Sequence, residues 1–453
     1  MKRNAHFPLK TTHIILFSFL IVILIGSILL SLPISTVSRQ RIPYIDALFT
    51  ATTATCVTGL VTVPTATTWS FFGQAVILVL IQIGGLGLIT VLAGLSLLFH
   101  RRMGLGDRFL LQDAFNLNSL SRISAFTRNV ILGTLAVEGV GMLLYLFAFV
   151  PDFGAYGIWI SLFTSVSAFC NAGIDVIGVN SLCDYATSPL VNAVTESLVV
   201  LGGIGFIVWW DLLRVLRDLR KKKLRAFASL SLHSKIALLS TAILLFGGAV
   251  LFLLFEYSNP DSIGSLSFFD KLQVAFFQSV TTRTAGFATI PQENLTDASS
   301  FLSLLLMLIG GSPVGTAGGI KTVTVAVLLF TAVSAIRNKN TTAVFGREIP
   351  KNSVRKALAV VTTSLLIVIL SALLLLRKTE APLLDVLYET VSAAATVGLS
   401  RSFTGGLDLF GKIVIILSMY LGRVGPISLA VAFTVQKKNE NLIRLPEEEI
   451  SIG

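Results

Sequence analysis

A short segment that ends in glycine occurs four times in this 453-residue chain. The four glycines (Gly59, Gly173, Gly286 and Gly398) are separated by 114, 113 and 112 residues. An aromatic residue stands ten positions before each of them, namely Phe49, Phe163, Phe276 and Tyr388. A glycine-containing pair follows 24 to 29 positions later: Gly84-Gly85, Gly202-Gly203, Gly310-Gly311 and Gly422-Arg423. One glycine in an apolar stretch usually marks close helix packing, but three landmarks in phase predict an internal fourfold repeat.

The composition indicates that this repeat lies in a membrane. Hydrophobic residues make up 54% of the chain and charged residues only 13%. Several runs of at least 18 residues carry almost no charge, which is typical of transmembrane helices. The sequence therefore predicts an integral membrane protein.

Each repeat also contains an apolar stretch that is too short to cross a bilayer. The first, Tyr44–Ala54, has eleven residues; a helix rises about 1.5 Å per residue, against a hydrocarbon core about 30 Å thick. We interpret these stretches as re-entrant helices. The predicted fold is an all-α membrane protein with four pseudo-symmetric span–re-entrant pore helix–span repeats around a central pore, and eight transmembrane helices. We predict a single domain over residues 1–453, with repeats at about 10–100, 128–213, 235–336 and 356–435 and a cytosolic tail at 436–453.

The distribution of charge predicts the topology. The formal net charge is +11, and most basic residues fall in the N-terminus, the three loops between repeats and the tail. Acidic residues concentrate near the short connections that flank the repeated glycines. This is the positive-inside asymmetry, which predicts that both termini are cytoplasmic and that the basic balance does not reflect nucleic-acid binding. The three cysteines show neither metal-ligand spacing nor a disulfide framework.

Four re-entrant segments that end in glycine suit a cation pathway. Rings of backbone carbonyls can replace the water of a cation without holding it too tightly, and glycine permits the positive φ that such a loop needs. The helix C-termini before these segments also favour a cation. We call the four segments the glycine loops and predict that they bind the transported ion. They comprise Thr55, Cys56, Val57, Thr58 and Gly59; Asn171, Ala172 and Gly173; Thr284, Ala285 and Gly286; and Thr396, Val397 and Gly398.

Two further features interrupt apolar helices. The first is the 310–319 loop, in which five glycines and a proline oppose regular helix; it consists of Gly310, Gly311, Ser312, Pro313, Val314, Gly315, Thr316, Ala317, Gly318 and Gly319. It is either a kinked, closely packed helix or a mobile element in the pathway. The second is Arg423, which costs about 2.5–3.5 kcal/mol in a membrane helix. One interpretation of Arg423 is an ion pair with Glu389 or Asp408; the resemblance described below implies a position in the pore instead. The basic segment Arg214–Lys235 is a topology signal or a docking surface.

Together these motifs resemble the Trk/Ktr/HKT superfamily of potassium transporters. The resemblance rests on Thr55–Leu60, Ala395–Leu399, the interrupted third repeat and Arg423, and it is closest to the bacterial Ktr membrane subunits of the KtrB and KtrD type. Leu32–Thr36, Ile83–Gly87, Thr284–Phe287 and Asn441–Arg444 also look like that subfamily. Cys56 departs from it, since similar proteins commonly have threonine there.

The resemblance implies a membrane subunit for K⁺ uptake in the bacterial plasma membrane. It implies a homodimer with one pore per protomer, K⁺ at the glycine loops, and no covalently bound cofactor. It also implies Na⁺ as an activator or coupling ion, and gating by a cytosolic nucleotide-binding ring of the KtrA/KtrC type. In this resemblance the glycine loops are the selectivity filter, and the 310–319 loop and Arg423 form the gate below it.

Other classes of function fit the residues less well. A membrane enzyme needs converging His, Cys or paired carboxylates, and the predicted spans contain only Glu138, Glu196 and Asp211. A secondary transporter more often has inverted repeats and a polar site at the midplane. The residues themselves predict a cation, and only the resemblance gives K⁺, so a less selective Na⁺ or ammonium channel stays open.

Overall fold

The computed structural model describes residues 11–87, 90–91, 123–222 and 228–425, and this part of the chain is almost entirely helical. The first two repeats contain α1 (Thr11–Leu30), α2 (Tyr44–Cys56), the short α3 (Thr65–Thr68), α4 (Phe71–Leu86), α5 (Ile123–Phe153), α6 (Tyr156–Phe169), α7 (Pro189–Gly203) and α8 (Phe206–Lys222). The last two contain α9 (Leu232–Glu256), α10 (Phe268–Thr281), α11 (Asp297–Leu308), α12 (Thr322–Ile336), α13 (Lys351–Leu376), α14 (Leu383–Ala395) and α15 (Leu409–Val424). An antiparallel hairpin of β1 (Ala343–Val344) and β2 (Arg347–Glu348) joins α12 to α13.

Capping residues set where these helices begin. Side-chain oxygens of Ser70, Ser231, Ser267, Thr296 and Asp408 accept hydrogen bonds from first-turn amides of α4, α9, α10, α11 and α15. Such caps satisfy amides that have no partner within the helix. The short helices α2 and α14 instead follow Pro43 and Pro382, whose rings fix φ near the helical value.

The short helices α2, α6, α10 and α14 match the predicted re-entrant segments within three residues at either end. Each packs against the helix that precedes it. The helix in the second half of each repeat packs on the short helix of the next repeat. Thus α4 contacts α6, α7 contacts α10, α11 contacts α14, and α15 returns to α2. The contacts therefore close a ring in chain order, with the C-terminal ends of the short helices at its centre.

The second long helix of the repeats differs from its prediction. The sequence favours uninterrupted helices at Phe71–Leu98, Leu190–Leu213 and Leu409–Thr434, with a break only in the third repeat. In the structure α4 ends before Gly87 and α15 ends before Gly425, while α7 and α8 meet at Gly205 with a bend of 101°. All three glycines have positive φ, at +80°, +91° and +90° respectively. The uninterrupted span at Leu190–Leu213 is wrong, because the chain turns at a backbone conformation that only glycine adopts readily.

Three described helices are long and apolar enough to cross a membrane: Ser124–Phe153, Leu232–Glu256 and Lys351–Leu376. The bent pair α7–α8 makes a fourth if it counts as one span. These helices confirm the coarse prediction of a helical membrane protein, and the count of eight spans stays a prediction. The tail at 436–453 and the end of the first repeat lie outside the described residues.

Candidate functional site

The structure brings the four glycine loops together in a closed ring. An ideal Cβ on each loop glycine would meet a backbone carbonyl oxygen of another repeat. At Gly59 this Cβ would lie 2.6 Å from the carbonyl oxygen of Ala172, and at Gly173 it would lie 2.5 Å from that of Ala285. The series continues with Gly286 at 2.5 Å from Val397 and Gly398 at 2.2 Å from Thr58. Each glycine thus abuts the carbonyl of the next repeat, and no side chain fits at any of the four positions.

The backbone of the loops has the same conformation in each repeat. The residue two positions before each glycine has positive φ: Val57 (+56°), Asn171 (+59°), Thr284 (+65°) and Thr396 (+52°). The glycines themselves have φ between +63° and +102°. Left-handed residues therefore alternate with ordinary ones, and bulky or β-branched residues adopt this conformation only where the surroundings enforce it. The repetition indicates one structural role for all four loops.

Hydrogen bonds turn the amides of the loops away from the centre of the ring. The residue before each glycine donates its N–H to its own short helix: Thr58 to Thr53 at 2.8 Å, Ala172 to Ser167 at 2.8 Å, Ala285 to Thr281 at 2.9 Å and Val397 to Ser392 at 2.8 Å. Within the described part of the chain, no hydrogen bond ends on the carbonyl oxygens of Thr58, Ala172, Ala285 or Val397. Buried carbonyls normally have partners, so these four oxygens are available to a ligand.

A cavity of about 520 Å³ opens onto one side of the ring. Its walls include the four loop glycines and the segments that follow them, with the carboxyl groups of Asp175 and Glu293. Asp175 lies two residues beyond Gly173, and its Oδ1 accepts a hydrogen bond from the amide of Ile177. The cavity therefore brings acidic groups to the side of the ring that the loop glycines line, which suits a cation.

The glycine pairs found in the sequence also have a structural reason. An ideal Cβ on Gly84 would lie 2.0 Å from the carbonyl oxygen of Thr55, and one on Gly202 would lie 2.0 Å from that of Phe169. On Gly422 it would lie 2.1 Å from the carbonyl of Ala394. The second helix of these three repeats thus supports the end of its own short helix by direct backbone contact. In the third repeat, Gly310 instead abuts Gly318 within the 310–319 loop.

The 310–319 loop lies directly against three of the glycine loops and is not a kinked helix. Thr316 Oγ1 is 2.9 Å from both the Phe169 carbonyl oxygen and Asn171 Oδ1. The amide of Gly318 donates to Thr284 Oγ1 at 3.1 Å, and an ideal Cβ on Gly318 would meet Thr396 Oγ1. The ends of the loop are tied together by a parallel bridge between Ile309 and Ile320. The chain thus leaves the end of α11, forms the loop and returns to the same place before α12 begins.

Arg423 holds the tip of this loop. Its guanidinium donates to the carbonyl oxygen of Thr316 at 2.8 Å and to that of Gly84. The expected alternative, an ion pair with Glu389 or Asp408, is not formed. Glu389 accepts hydrogen bonds from Ser400 and Thr404, and Asp408 caps α15. Arg423 therefore links the 310–319 loop to the first repeat.

Two further basic side chains contact this loop, and the sequence reasoning did not single out either. The Arg283 side chain is buried and donates to the carbonyls of Gly310 at 3.0 Å and Thr241 at 3.4 Å. Lys321 donates to the carbonyl of Ala317 at 2.6 Å. Arg283 thus contacts the loop at Gly310, Arg423 contacts it at Thr316, and Lys321 contacts it at Ala317. The sequence signals these two residues only by position, since Arg283 directly precedes the third glycine loop and Lys321 closely follows the 310–319 loop. It does not show which carbonyl oxygens their side chains reach.

This arrangement is that of a membrane protein for cation transport. A profile of the TrkH family, described as cation transport protein, matches residues 3–445, and the chain belongs to this family. It is 38% identical over 436 residues to Ktr system potassium uptake protein B of Bacillus subtilis, covering 96% of this chain and 95% of that protein. It is also 38% identical over 462 residues to potassium/sodium uptake protein NtpJ of Enterococcus hirae, covering 100% and 99%.

The fold is also found among solved structures. The crystal structure of the potassium transporter TrkH from Vibrio parahaemolyticus matches with a TM-score of 0.72 at 18% identity, covering 96% of this chain and 87% of that one. These comparisons confirm the predicted family and the prediction of a transport protein and not an enzyme.

Proposed function

We propose that this protein is the membrane subunit of a potassium uptake system and that K⁺ passes through the ring of glycine loops. Four span–re-entrant–span repeats surround this pathway, with eight spans in total. The observation that carries the proposal is the ring itself: four carbonyls without partners lie where each loop glycine abuts the next repeat. Rings of this kind replace the hydration shell of K⁺ in channels. Relatives named for potassium uptake, at 38% and 36% identity over nearly the whole chain, support the choice of ion.

Gating belongs to the 310–319 loop and Arg423. The loop lies against the second, third and fourth glycine loops, and Arg423 places a positive charge beside it. A loop in that position obstructs the pathway on the side away from the 520 Å³ cavity, because none of its residues lines that cavity. Its displacement opens the pathway.

The assembly that we propose is a homodimer in the plasma membrane with both termini in the cytoplasm. A cytosolic nucleotide-binding ring of the KtrA/KtrC type regulates it. The asymmetry of basic residues in the sequence supports this orientation. Na⁺ acts on transport as an activator or coupling ion.

A second candidate is a less selective pathway for monovalent cations such as Na⁺ or ammonium. One observation favours it, since the Enterococcus hirae relative at 38% identity is named for both potassium and sodium uptake. Backbone carbonyls alone bind either ion, so the ring does not separate the two candidates.

Ion flux into liposomes tests the proposal. We expect the purified chain to carry K⁺ and Rb⁺ faster than Na⁺, and faster with the regulatory ring than without it. Gly398→Ala should reduce K⁺ flux by about tenfold or more, because its Cβ would occupy the position of the Thr58 carbonyl. Gly406→Ala is the matched control, since nothing lies within 4 Å of its Cβ. Equal flux in the two variants would contradict the assignment of the ring.

A further inference from the structure

The bend between α7 and α8 carries the 310–319 loop through backbone hydrogen bonds. We call residues Gly202–Phe206 the elbow. The amide of Ser312 donates to the carbonyl of Gly203 at 2.7 Å, and that of Thr316 donates to Gly202 at 3.1 Å. In return the amide of Phe206 donates to the carbonyl of Val314 at 2.9 Å. Three backbone hydrogen bonds thus fasten the third repeat to the second.

Two of these bonds use the groups that an unbroken helix would pair with each other. In a continuous helix the amide of residue 206 donates to the carbonyl of residue 202. At the elbow the Gly202 carbonyl accepts from Thr316 instead, and the Phe206 amide donates to Val314. Backbone groups at membrane depth need partners. The loop therefore supplies the hydrogen-bond partners that the Gly202 carbonyl and the Phe206 amide lack in the bent helix. In a straight helix these two groups would bond to each other.

Among the described residues, the other two glycine breaks make no such contact. Gly87 and Gly425 have nearly the same φ as Gly205. Within the described part of the chain, the nearest atom to an ideal Cβ on Gly87 is 3.9 Å away, and none lies within 4 Å of one on Gly425. An ideal Cβ on Gly205 would lie 2.4 Å from the Pro313 carbonyl oxygen. Among these three breaks, the one in the second repeat has the 310–319 loop seated on it.

We propose that the elbow is the seat on which the 310–319 loop closes the pathway, and that the loop leaves when Phe206 bonds to Gly202 and extends α7 by one turn. This inference rests on the gating role proposed for the loop. After this exchange the Gly202 carbonyl and the Phe206 amide still have a partner, each other, while the released loop groups face the water of the pathway. Closed and open states are then two discrete arrangements, as a switch requires.

Helix α8 is the lever in this mechanism. It begins at the elbow, and Asp211 in its first half accepts a hydrogen bond from the amide of Ser231, the cap of α9. Beyond that point Leu213, Arg214 and Leu216 are exposed. A regulator that displaces this face of α8 moves the elbow without touching the loop.

A disulfide between the elbow and the loop tests the proposal. An ideal Cβ on Gly203 lies 3.7 Å from the Cβ of Ala317, and disulfides need a Cβ–Cβ distance of about 3.5–4.5 Å. We expect the double variant Gly203→Cys/Ala317→Cys to lose K⁺ flux by about tenfold or more when oxidised, because the closed arrangement is locked. Reduction should restore it. Each single variant, treated in the same way, controls for the three native cysteines. Unchanged flux in fully cross-linked protein would overturn the proposal.

A substitution at Gly205 tests it in the opposite direction. Gly205→Ala pushes on the Pro313 carbonyl and should raise K⁺ flux in the absence of the regulatory ring by about threefold or more. Gly425→Ala imposes the same backbone strain, meets no atom within 4 Å among the described residues, and should leave this flux unchanged. Equal effects in the two variants would contradict the seat, and if Gly205→Ala does not fold, the disulfide decides. Absence of K⁺ flux in the unmodified protein would instead refute the proposed function.

Discussion

At the scale of single residues, Arg423 makes two contributions that substitutions can separate. It donates to the Thr316 carbonyl at the tip of the 310–319 loop and carries a positive charge near the ion pathway. A unit charge about 6 Å from an ion raises its energy by about 3 kcal/mol at an effective dielectric near 20, and a tenfold change in rate needs about 1.4 kcal/mol. Arg423→Gln should therefore speed K⁺ flux by about a hundredfold.

Arg423→Lys separates the charge from the two hydrogen bonds, because lysine keeps the charge but lacks the planar fork. We expect its flux to lie between those of the unmodified protein and the glutamine variant. Flux is measured in liposomes at equal protein content. A glutamine variant that conducts no faster would show that the charge does not limit conduction.

The carboxyl group of Asp175 should make transport depend on pH. Burial raises the pKa of its carboxyl group to about 6, and the group lines the 520 Å³ cavity beside the glycine loops. Above that pH it is charged and concentrates cations at the mouth; as the pH falls through about 6 it becomes neutral. K⁺ flux should therefore fall by about threefold when the solution on this side goes from pH 7.5 to 5.

Asp175→Asn should show the low flux at both pH values. The measurement is initial Rb⁺ uptake at fixed membrane potential, with Glu293 left intact because it lines the same cavity. If uptake by the Asp175→Asn variant still falls as much between pH 7.5 and 5 as uptake by the unmodified protein, another group is responsible for the pH dependence.

Among individual residues, the sequence located the glycines but not their partners. The regular spacing of Gly59, Gly173, Gly286 and Gly398 identified them as equivalent positions, because a glycine that recurs at a fixed interval can be recognised in a sequence. The contacts of Arg283 and Arg423 with carbonyls were not predictable, since nothing in the sequence shows which backbone groups a break in a helix leaves free.

At the scale of elements, length decided which predictions succeeded. Stretches of eleven to fourteen residues gave the positions of α2, α6, α10 and α14 correctly. A proline or a serine precedes α2, α10 and α14 in the sequence. The ends of α4, α7 and α15 were missed. A single glycine in an apolar run is compatible with a packed helix or with a turn at positive φ, and the composition of the run is the same in both cases.

The 310–319 loop gives the prediction at this scale. Deletion of Gly315-Thr316-Ala317 removes the bonds of Thr316 to Gly202, Phe169 and Arg423. We expect K⁺ flux without the regulatory ring to rise to the level seen with it, since a shift from mostly closed to mostly open requires about 5 kcal/mol. The selectivity for K⁺ over Na⁺ should be unchanged, because the glycine loops remain.

The ratio of flux with the ring to flux without it is the decisive measurement. It should approach one in the deletion variant and stay well above one in the unmodified protein. A deletion variant that keeps the original ratio would show that the loop is not the gate.

At the scale of the whole molecule, the four repeats depend on one another through the ring. Each second helix packs on the short helix of the next repeat, and each glycine abuts the next carbonyl. In the proposed pathway the four carbonyl dipoles face one axis, and they repel one another unless a cation lies between them. The ion is thus expected to stabilise the folded protomer, and not only to pass through it.

This coupling predicts a thermal shift that depends on the ion and requires no flux measurement. A ligand at 100 times its Kd stabilises the folded state by about 2.7 kcal/mol, so the melting temperature in detergent should rise with K⁺ or Rb⁺ relative to choline at equal ionic strength. Gly398→Ala should remove the shift because its Cβ displaces the Thr58 carbonyl, while Gly406→Ala should keep it. An equal shift with Na⁺ or ammonium would favour the less selective pathway. The same shift in the Gly398→Ala variant would show that the ion binds elsewhere than the ring.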